Sequence, residues 1–218
     1  MPLSKEQVLE GLKKLREGSV KRKFVQSIDL QVCLKSTDTK KPENKLKETV
    51  LLPHITGKKV SVAFFADKEL VDDGKNVFDE VIKKDDFKTY TKKRDIKKLV
   101  RRHKFFVAQG NLMGDIAQQF GKFLGPIGRM PDPKAGCVIP IKKELLKPLY
   151  DKLQQTVNVR VKDQPNINVF VGAESMKDDE LADNIMAVYN VIKTKLPRGE
   201  EQIGKIYIKM TMSRGVIL

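Results

Sequence analysis

The sequence has no tryptophan and contains only two histidines and two cysteines in 218 residues. Histidine is the commonest general acid or base and a frequent metal ligand, so its scarcity argues against most hydrolytic and metal-dependent enzymes. His54 follows a predicted strand and His103 ends a lysine-rich helix, which favours surface or helix-terminal positions for both. Cys33 and Cys137 lack a CxxC partner, which favours buried thiols over a metal site. We therefore predict no catalytic residue, no metal ligand and no cofactor.

Long apolar segments and catalytic motifs are absent as well. No run of about 18 apolar residues occurs and the N-terminus lacks the apolar stretch of a secretory signal, so we expect a cytoplasmic protein without membrane contact. The HExxH, GxSxG, Walker and GxGxxG patterns do not occur. Pro126 also removes a backbone donor from the glycine-containing stretch 121–128, where a phosphate loop would need one. The remaining enzyme hypothesis is a nucleotide-dependent or nucleic-acid-processing activity of the central segment.

Acidic residues are too few to balance the basic ones. The chain has 43 lysines and arginines against 28 aspartates and glutamates, which gives a net charge of +15. Such an excess favours a polyanionic partner, and nucleic acid is the first candidate. The alternative is a solvated lysine-rich surface of the kind found in heat-adapted proteins, but ion-pair networks need similar numbers of both signs. Both the terminal and the central segments are basic, so charge alone does not identify the binding part.

The two ends of the chain have the alternating pattern of half-buried strands. Ser4 and Gln7 form a predicted capping box that begins a helix. The strand at 49–52 is expected to return antiparallel to the strand at 28–34. The strand at 167–171 is expected to form a hairpin with the strand at 157–161. The last strand would place Met212 on its inner face. Alternation of apolar and polar residues predicts strands at 28–34, 157–161, 167–171 and 206–212, and a further strand is expected at 49–52.

The central segment has a different pattern. Residues 60–66 and 105–108 are nearly unbroken apolar runs, which are typical of strands covered on both faces. Helices are expected at 79–83 and, with a basic outer face, at 92–103. Alternation of strand and helix predicts a parallel α/β layer.

These patterns divide the chain into two predicted domains. A discontinuous domain comprises residues 1–59 and 155–218, and an α/β domain, residues 60–154, is inserted into it. The two chain crossings would form a hinge. The predicted fold class is therefore α/β and α+β in two domains.

The terminal domain presents basic, aromatic and hydroxyl side chains at the ends of its predicted strands. Hydroxyls and lysines on a rigid sheet can reach the ribose 2′-hydroxyls and phosphates of folded RNA, whereas single-stranded RNA would require several stacking aromatics. Two alternatives stay open: Phe24 can be a core residue, and the basic helix 92–104 can be either a phosphate clamp or a solvated face. The candidate RNA-binding residues from this pattern are Lys23, Phe24, Ser27, Arg160, Lys162, Lys209, Thr211 and Ser213.

Six segments, in order along the whole chain, carry a family resemblance. Together they closely resemble the "L-one" family of stalk proteins of the large ribosomal subunit, in its archaeal form. The segments are KFVQSID at 23–29, KPEN at 41–44, LPH at 52–54, LGPIGRMPDP at 124–133, LADNI at 181–185 and KMTM at 209–212.

The resemblance implies a fold and a function. The first domain would be a split β-α-β, sandwich-like domain built from both termini, and the inserted domain would be Rossmann-like with three layers. The family binds large-subunit ribosomal RNA at the mobile lateral stalk, assists the release of deacylated tRNA from the exit site, and in many members represses translation of its own mRNA. The expected partners are therefore stalk rRNA, exit-site tRNA and the protein's own mRNA, with a monomer off the ribosome.

The resemblance also implies site residues. The family usually has glycine and proline where this chain has Ser213 and Arg214. A side chain at position 213 would alter a close backbone approach to RNA, while Arg214 would offer a phosphate contact. By motif match, the RNA-contacting positions of the family are Phe24, Ser27, Asp163, Thr211 and Met212.

Overall fold

The computed structural model describes residues 3–35, 46–90, 92–140, 142–161 and 164–218. Within these ranges the α-helices are α1 (Lys5–Glu17), α2 (Val71–Val77), α3 (Lys93–Arg102), α4 (Met113–Ile127), α5 (Leu146–Gln154) and α6 (Asp178–Lys195). The strands are β1 (Ser27–Leu34), β2 (Lys47–Leu51), β3 (Val62–Ala66), β4 (Glu80–Lys83), β5 (Phe105–Gln109), β6 (Val138–Ile139), β7 (Thr156–Arg160), β8 (Asn166–Ala173), β9 (Ile203–Met210) and β10 (Val216–Ile217).

The chain forms two compact units. Unit 1 consists of Met1–Lys58 and Gln155–Leu218, and unit 2 of Lys59–Gln154. The chain therefore leaves unit 1 once and returns to it once.

Unit 1 combines antiparallel strands with two helices around one hydrophobic core. Its larger sheet has the order β10-β9-β1-β8, and β2 pairs with β7 in a separate ladder. Leu12 of α1 and Ile185 of α6 belong to the same buried cluster as Ile28 and Ile208 of the sheet. Strands and helices of this unit therefore share one core, which is an α+β arrangement.

The first helix begins at the predicted capping box. Ser4 Oγ accepts a hydrogen bond from the Gln7 N–H at 3.2 Å, and Gln7 Oε1 accepts one from the Ser4 N–H at 3.1 Å. These two bonds satisfy backbone donors that the first turn of a helix leaves without partners. The predicted start of α1 is confirmed.

The alternating pattern of the terminal strands is confirmed, with one exception. In β1, Ile28, Leu30 and Val32 are completely buried and the residues between them are partly exposed. The prediction for Met212 is wrong, because β9 ends at Met210 and the Met212 side chain is 59% exposed. The chain turns there, since the Ser213 N–H donates to the Met210 carbonyl, and a turn ends the two-residue period.

Two of the predicted strand pairings are wrong. In the described part of the chain β2 pairs with β7 rather than with β1, and β8 pairs with β1 rather than with β7. Alternation reveals which face of a strand is buried, but it carries no information about the neighbour. Each of these ladders joins segments more than 100 residues apart, across the whole of unit 2.

Unit 2 is built on a parallel sheet with helices on both faces. The strand order is β4-β3-β5-β6, and every residue of β3 and β5 is buried. One face of the sheet packs against α2 and α5 through a cluster that includes Leu70 and Leu149. The other face packs against α3 and α4 through a cluster that includes Leu99 and Phe120. Together with unit 1, this three-layer arrangement confirms the mixed α/β class.

The segment expected to be a helix at 79–83 is instead β4. It lies parallel to β3, with Phe65 opposite Ile82. Val81 and Ile82 are β-branched, so they favour a strand, but the segment is too short to show a clear period. The basic helix is confirmed: α3 buries Ile96, Leu99 and Val100 and exposes its lysines and arginines.

Candidate nucleic-acid interface

Three strands of unit 1 have a terminus at the same end of the larger sheet: β1 begins there, and β8 and β9 end there. Ser27, the first residue of β1, lies opposite Ala173, the last residue of β8, and Ile28 lies opposite Met210, the last residue of β9. The residues that precede Ser27 and those that follow Met210 are therefore neighbours. We call this part of unit 1 the Ser27 end.

Thr211 joins β9 to the start of β1 through its backbone and its side chain. The Thr211 N–H donates to the Ser27 carbonyl at 3.1 Å, and Thr211 Oγ1 accepts from the Ser27 N–H at 3.0 Å. The Thr211 hydroxyl also donates to the Ser27 carbonyl, with a distance of 3.4 Å between the two oxygens. Thr211 is exposed, so these contacts lie at the surface of unit 1.

Two lysines add positive charge beside these hydroxyls. Lys58 Nζ donates to Ser27 Oγ at 2.7 Å. The approach of Lys58 depends on Gly57, whose φ is +71° and whose missing Cβ would lie 3.1 Å from the Ala173 Cβ. Lys209 is exposed and stands on β9 one residue before its last residue, close in sequence to Thr211.

Gln26 fixes the turn that follows β9. Its side chain is 1% exposed, and its Oε1 accepts a hydrogen bond from the Met212 N–H at 3.1 Å. The Gln26 backbone is held in turn by Glu174, whose N–H donates to the Gln26 carbonyl at 2.9 Å. Among the residues that the structure describes, none bonds to Gln26 Nε2. Met212 is therefore held by its backbone while its side chain stands in solvent.

Ser213 uses its hydroxyl inside the turn. Ser213 Oγ accepts from the Met210 N–H at 3.0 Å and donates to the Arg214 carbonyl at 3.0 Å. The hydroxyl therefore stabilises the local turn, and its two bonds hold the side chain against the backbone of the same segment.

A basic groove lies beside the turn. It has a volume of about 360 Å³, and Phe24, which is 50% exposed, forms part of its wall. The alternative that Phe24 belongs to the core is thereby excluded. Three of the lining side chains are basic and one is acidic, and the full set is Lys21, Arg22, Lys23, Phe24, Val25, Glu174 and Ser175.

The far wall of the groove is held by an arginine of α1. Arg16 Nε donates to Asp178 Oδ1 at 2.7 Å, and its two terminal nitrogens donate to the carbonyls of Glu174 and Met176 at 3.0 and 2.8 Å. Asp178 begins α6, where a carboxylate is favoured by the helix dipole. The loop after β8 is thus fixed to two helices, and the groove has a rigid wall.

Arg160 does not belong to the Ser27 end. It ends β7, and six residues later Asn166 begins β8 opposite Cys33, at the other end of β1. Since a strand rises about 3.3 Å per residue, Cys33 and Ser27 lie roughly 20 Å apart. Lys162 and Asp163, the other two candidates in this part of the chain, lie outside the described residues. Among the described candidates, Arg160 therefore stands apart from the residues of the Ser27 end.

Sequence reasoning missed three residues that organise the Ser27 end. Gln26 and Glu174 are polar residues whose role depends on contacts across the sheet, and Lys58 follows a glycine turn far from Ser27 in sequence. A polar residue just before a strand resembles an ordinary loop residue. Only the burial of Gln26, which the sequence does not reveal, distinguishes it.

Ser61, His103 and Glu80 of unit 2 make a contact chain that resembles a hydrolase triad. His103 Nδ1 lies 2.7 Å from Ser61 Oγ, and His103 Nε2 lies 2.7 Å from Glu80 Oε2. The histidine is 2% exposed and caps the end of α3. It therefore ties α3 to the segment before β3 and to β4. Its predicted helix-terminal position is confirmed, although it is buried rather than on the surface.

Other kinds of site are not found in the described residues. Across the described ranges, no group of three or more histidine, cysteine or acidic side chains could hold a metal ion. In the same residues, no helix has the length and apolar character needed to cross a bilayer. Cys137 is buried, as expected, whereas Cys33 is partly exposed.

The fold and the site define a two-unit α/β protein with a basic, aromatic surface at a sheet end, which is typical of the class of nucleic-acid-binding proteins. Comparison with known proteins identifies the family. Residues 12–214 match the model of the Ribosomal protein L1p/L10e family. The chain belongs to this family.

Several archaeal relatives match almost the whole chain. The large ribosomal subunit protein uL1 of Methanothermobacter thermautotrophicus is 41% identical over 209 residues, which cover 95% of this chain and 96% of that protein. The uL1 of Pyrococcus abyssi is 36% identical over 217 residues, with 99% and 97% covered. The uL1 of Methanocaldococcus jannaschii is 36% identical over 215 residues, with 98% and 95% covered.

Membership in this family confirms the resemblance that the sequence motifs indicated. The protein is a structural ribosomal protein and not an enzyme, so the hypothesis of a catalytic central segment is excluded. Its place is on the ribosome, in the cytoplasm.

Proposed function

We propose that this protein binds large-subunit ribosomal RNA at the lateral stalk through the Ser27 end of unit 1, and that unit 2 is a domain inserted into this RNA-binding domain. One observation carries the proposal. Two hydroxyls, an exposed aromatic ring, an exposed methionine and several lysines lie together at the Ser27 end. The relatives named above are large-subunit proteins, which gives the class of RNA.

The groups at the Ser27 end suit folded RNA. Lys58, Lys209 and the bases of the groove are placed to hold phosphates, while the hydroxyls of Ser27 and Thr211 can bond to ribose 2′-hydroxyls. The Phe24 ring and the Met212 side chain offer apolar contact to a sugar or an unstacked base. Because Gln26 and Thr211 fix the backbone before binding, little conformational entropy is lost on association.

Arg160, with Lys162 and Asp163, is proposed as a second contact. The Cys33 end of β1, where β8 begins, lies roughly 20 Å from Ser27, so a contact near that end would let one RNA fold touch unit 1 at two places. This contact would contribute to affinity through charge, whereas the Ser27 end would provide most of the specificity.

Two further roles rest on the family resemblance and are proposed with it. Assistance to the release of deacylated tRNA would follow from a position on the stalk. Repression of the protein's own mRNA would use the same Ser27 end, so an mRNA fragment that mimics the stalk site should compete with stalk rRNA. An mRNA fragment that bound without competing would contradict this shared site.

The proposal is tested with Thr211→Val, which keeps the shape of the side chain and removes the hydroxyl. We expect the affinity for a stalk rRNA fragment to fall by about 1–3 kcal/mol. The matched control is Thr211→Ser, which keeps the hydroxyl and should bind nearly as the original chain does. The thermal unfolding of both variants is measured alongside, so that a loss of folding is recognised. If the valine variant folds and binds RNA with unchanged affinity, the site is wrong.

A further inference from the structure

We propose that the outer face of α3 in unit 2 is a second RNA-binding surface, which holds the phosphate backbone of an RNA duplex and acts separately from the Ser27 end. It extends the proposed function to unit 2, and it depends on different residues.

Most basic side chains of α3 lack a partner among the described residues. Arg102 pairs with Glu80 at 3.2 Å, but in the part of the chain that the structure describes the other basic side chains of α3 make no ion pair or hydrogen bond. Elsewhere in unit 2 several lysines are paired, as Lys84 is with Asp115. The basic side chains of α3 that are exposed and without a partner are Lys93, Arg94, Lys97, Lys98 and Arg101.

The charge pattern of α3 also destabilises the helix itself. Lys93 and Lys97, and Arg94 and Lys98, are like-charged pairs at i and i+4, and such pairs destabilise a helix. Lys93 and Arg94 also stand in the first turn, where the helix dipole disfavours positive charge, and no described side chain caps the start of α3. A merely solvated face would be better served by mixed charges. A local rule that is broken without compensation is expected at a functional surface.

The basic side chains of α3 are arranged in two rows along the helix. In a helix, residues four apart stand one above another, so Lys93, Lys97 and Arg101 form one row along α3 and Arg94, Lys98 and Arg102 form a second. The buried residues Ile96, Leu99 and Val100 fix the opposite face of α3 against the core of unit 2. The two rows are therefore held on a rigid support, as a backbone of regularly spaced phosphates requires.

The chemistry of the face favours RNA over an acidic protein. A protein interface usually has an apolar or aromatic centre, but every outward residue of α3 is basic except Asp95. The face also presents no aromatic ring on which a single-stranded base could stack. Phosphates of a duplex are the anions that such a surface can bind without further contacts.

The test uses the full chain and an RNA duplex of about 20 base pairs with an arbitrary sequence. The variant replaces Lys93, Arg94, Lys97 and Lys98 by glutamine. The control removes the same number of charges from exposed positions elsewhere in unit 2, with Lys122, Lys134, Lys142 and Lys147 replaced by glutamine. All these side chains are exposed, so both variants should fold.

We expect the α3 variant to lose at least about tenfold in affinity at low salt, and its slope of log affinity against log salt to fall by about two to four. The control should change far less. Equal effects of the two variants would overturn the proposal, because binding would then depend on overall charge. Duplex binding that is lost in Thr211→Val but kept in the α3 variant would also overturn it. The proposal would also be overturned if the α3 variant kept its affinity for RNA but lost its affinity for poly-glutamate. That result would indicate an acidic protein partner.

Discussion

At the scale of single residues, the Ser27 end separates groups that hold the backbone from groups that face solvent. Gln26 and Thr211 tie the turn after β9 to the start of β1, while Phe24 and Met212 are at least half exposed. Exposed apolar side chains beside basic ones contribute little to folding and are available to a ligand. Variants of the second group should therefore change binding more than stability.

Phe24→Ala is the direct prediction from this separation. Because the ring is half exposed, its removal should cost little stability, but the loss of its contact with a sugar or base should weaken stalk RNA binding by about 1–3 kcal/mol. The matched control is Ile217→Ala on β10, opposite Tyr207 and away from the Ser27 end, where the side chain is 58% exposed. Binding and thermal unfolding are compared for both. An equal loss of affinity in the two variants would count against a specific role for Phe24.

The sequence indicated the exposed groups of the site better than the buried ones. Phe24, Ser27 and Thr211 could be predicted because basic clusters, alternation and the family motifs point to them. Gln26 and Lys58 could not be predicted, because each acts through one contact with a residue on another segment. The inward position expected for Met212 was wrong, since a turn, and not the strand, sets its direction.

At the scale of elements, the junction of β3 and β4 in unit 2 depends on a carboxylate. Asp79 Oδ2 accepts a hydrogen bond from the Val62 N–H at 3.0 Å, and Asp79 Oδ1 lies 2.8 Å from Lys59 Nζ. Partial burial raises the pKa of Asp79 more than any other single influence, but the hydrogen bonds from Lys59 and Val62 and the nearby positive charge together outweigh it. The pKa of Asp79 therefore lies below its usual value of 3.8.

The pH dependence of unit 2 follows from this depressed pKa. A carboxylate whose pKa is lower in the folded state stabilises folding above its usual pKa, and the stabilisation is lost as the pH falls through the folded value. We expect hydrogen-exchange protection of the β3 amides to fall as the pH drops through the usual pKa of 3.8 and below it, and Asp79→Asn to flatten this dependence. Asp72→Asn is the control, since Asp72 is 92% exposed. A variant that kept the full pH dependence of the original chain would exclude Asp79 as its source.

The sequence predicted most elements but not how the strands pair. Helices α1 and α3 follow from a capping box and an apolar stripe, which are local signals. The ladders of β2 with β7 and of β1 with β8 connect segments separated by all of unit 2, so nothing local distinguishes them from hairpins. The strand β4 was missed because four residues are too few for a period.

At the scale of the whole molecule, the two units have separate cores and, in our account, separate RNA contacts. Unit 1 has one core that joins residues from both ends of the chain, and unit 2 has its own clusters on the two faces of its sheet. Among the described residues, the core that contains Leu12, Ile185 and Ile208 includes none from unit 2. Unit 1 should therefore fold when the chain from Lys59 to Gln154 is removed.

The most direct test of the central claim is the affinity of unit 1 alone for a stalk rRNA fragment. Residues 1–58 are joined to residues 155–218 by a short glycine-rich linker, and folding is checked by circular dichroism and thermal unfolding. We predict binding within about tenfold, or 1.4 kcal/mol, of the full chain, and the loss of that binding in Thr211→Val. A shortened chain that folds but does not bind the fragment would contradict the account, because the RNA site would then require unit 2.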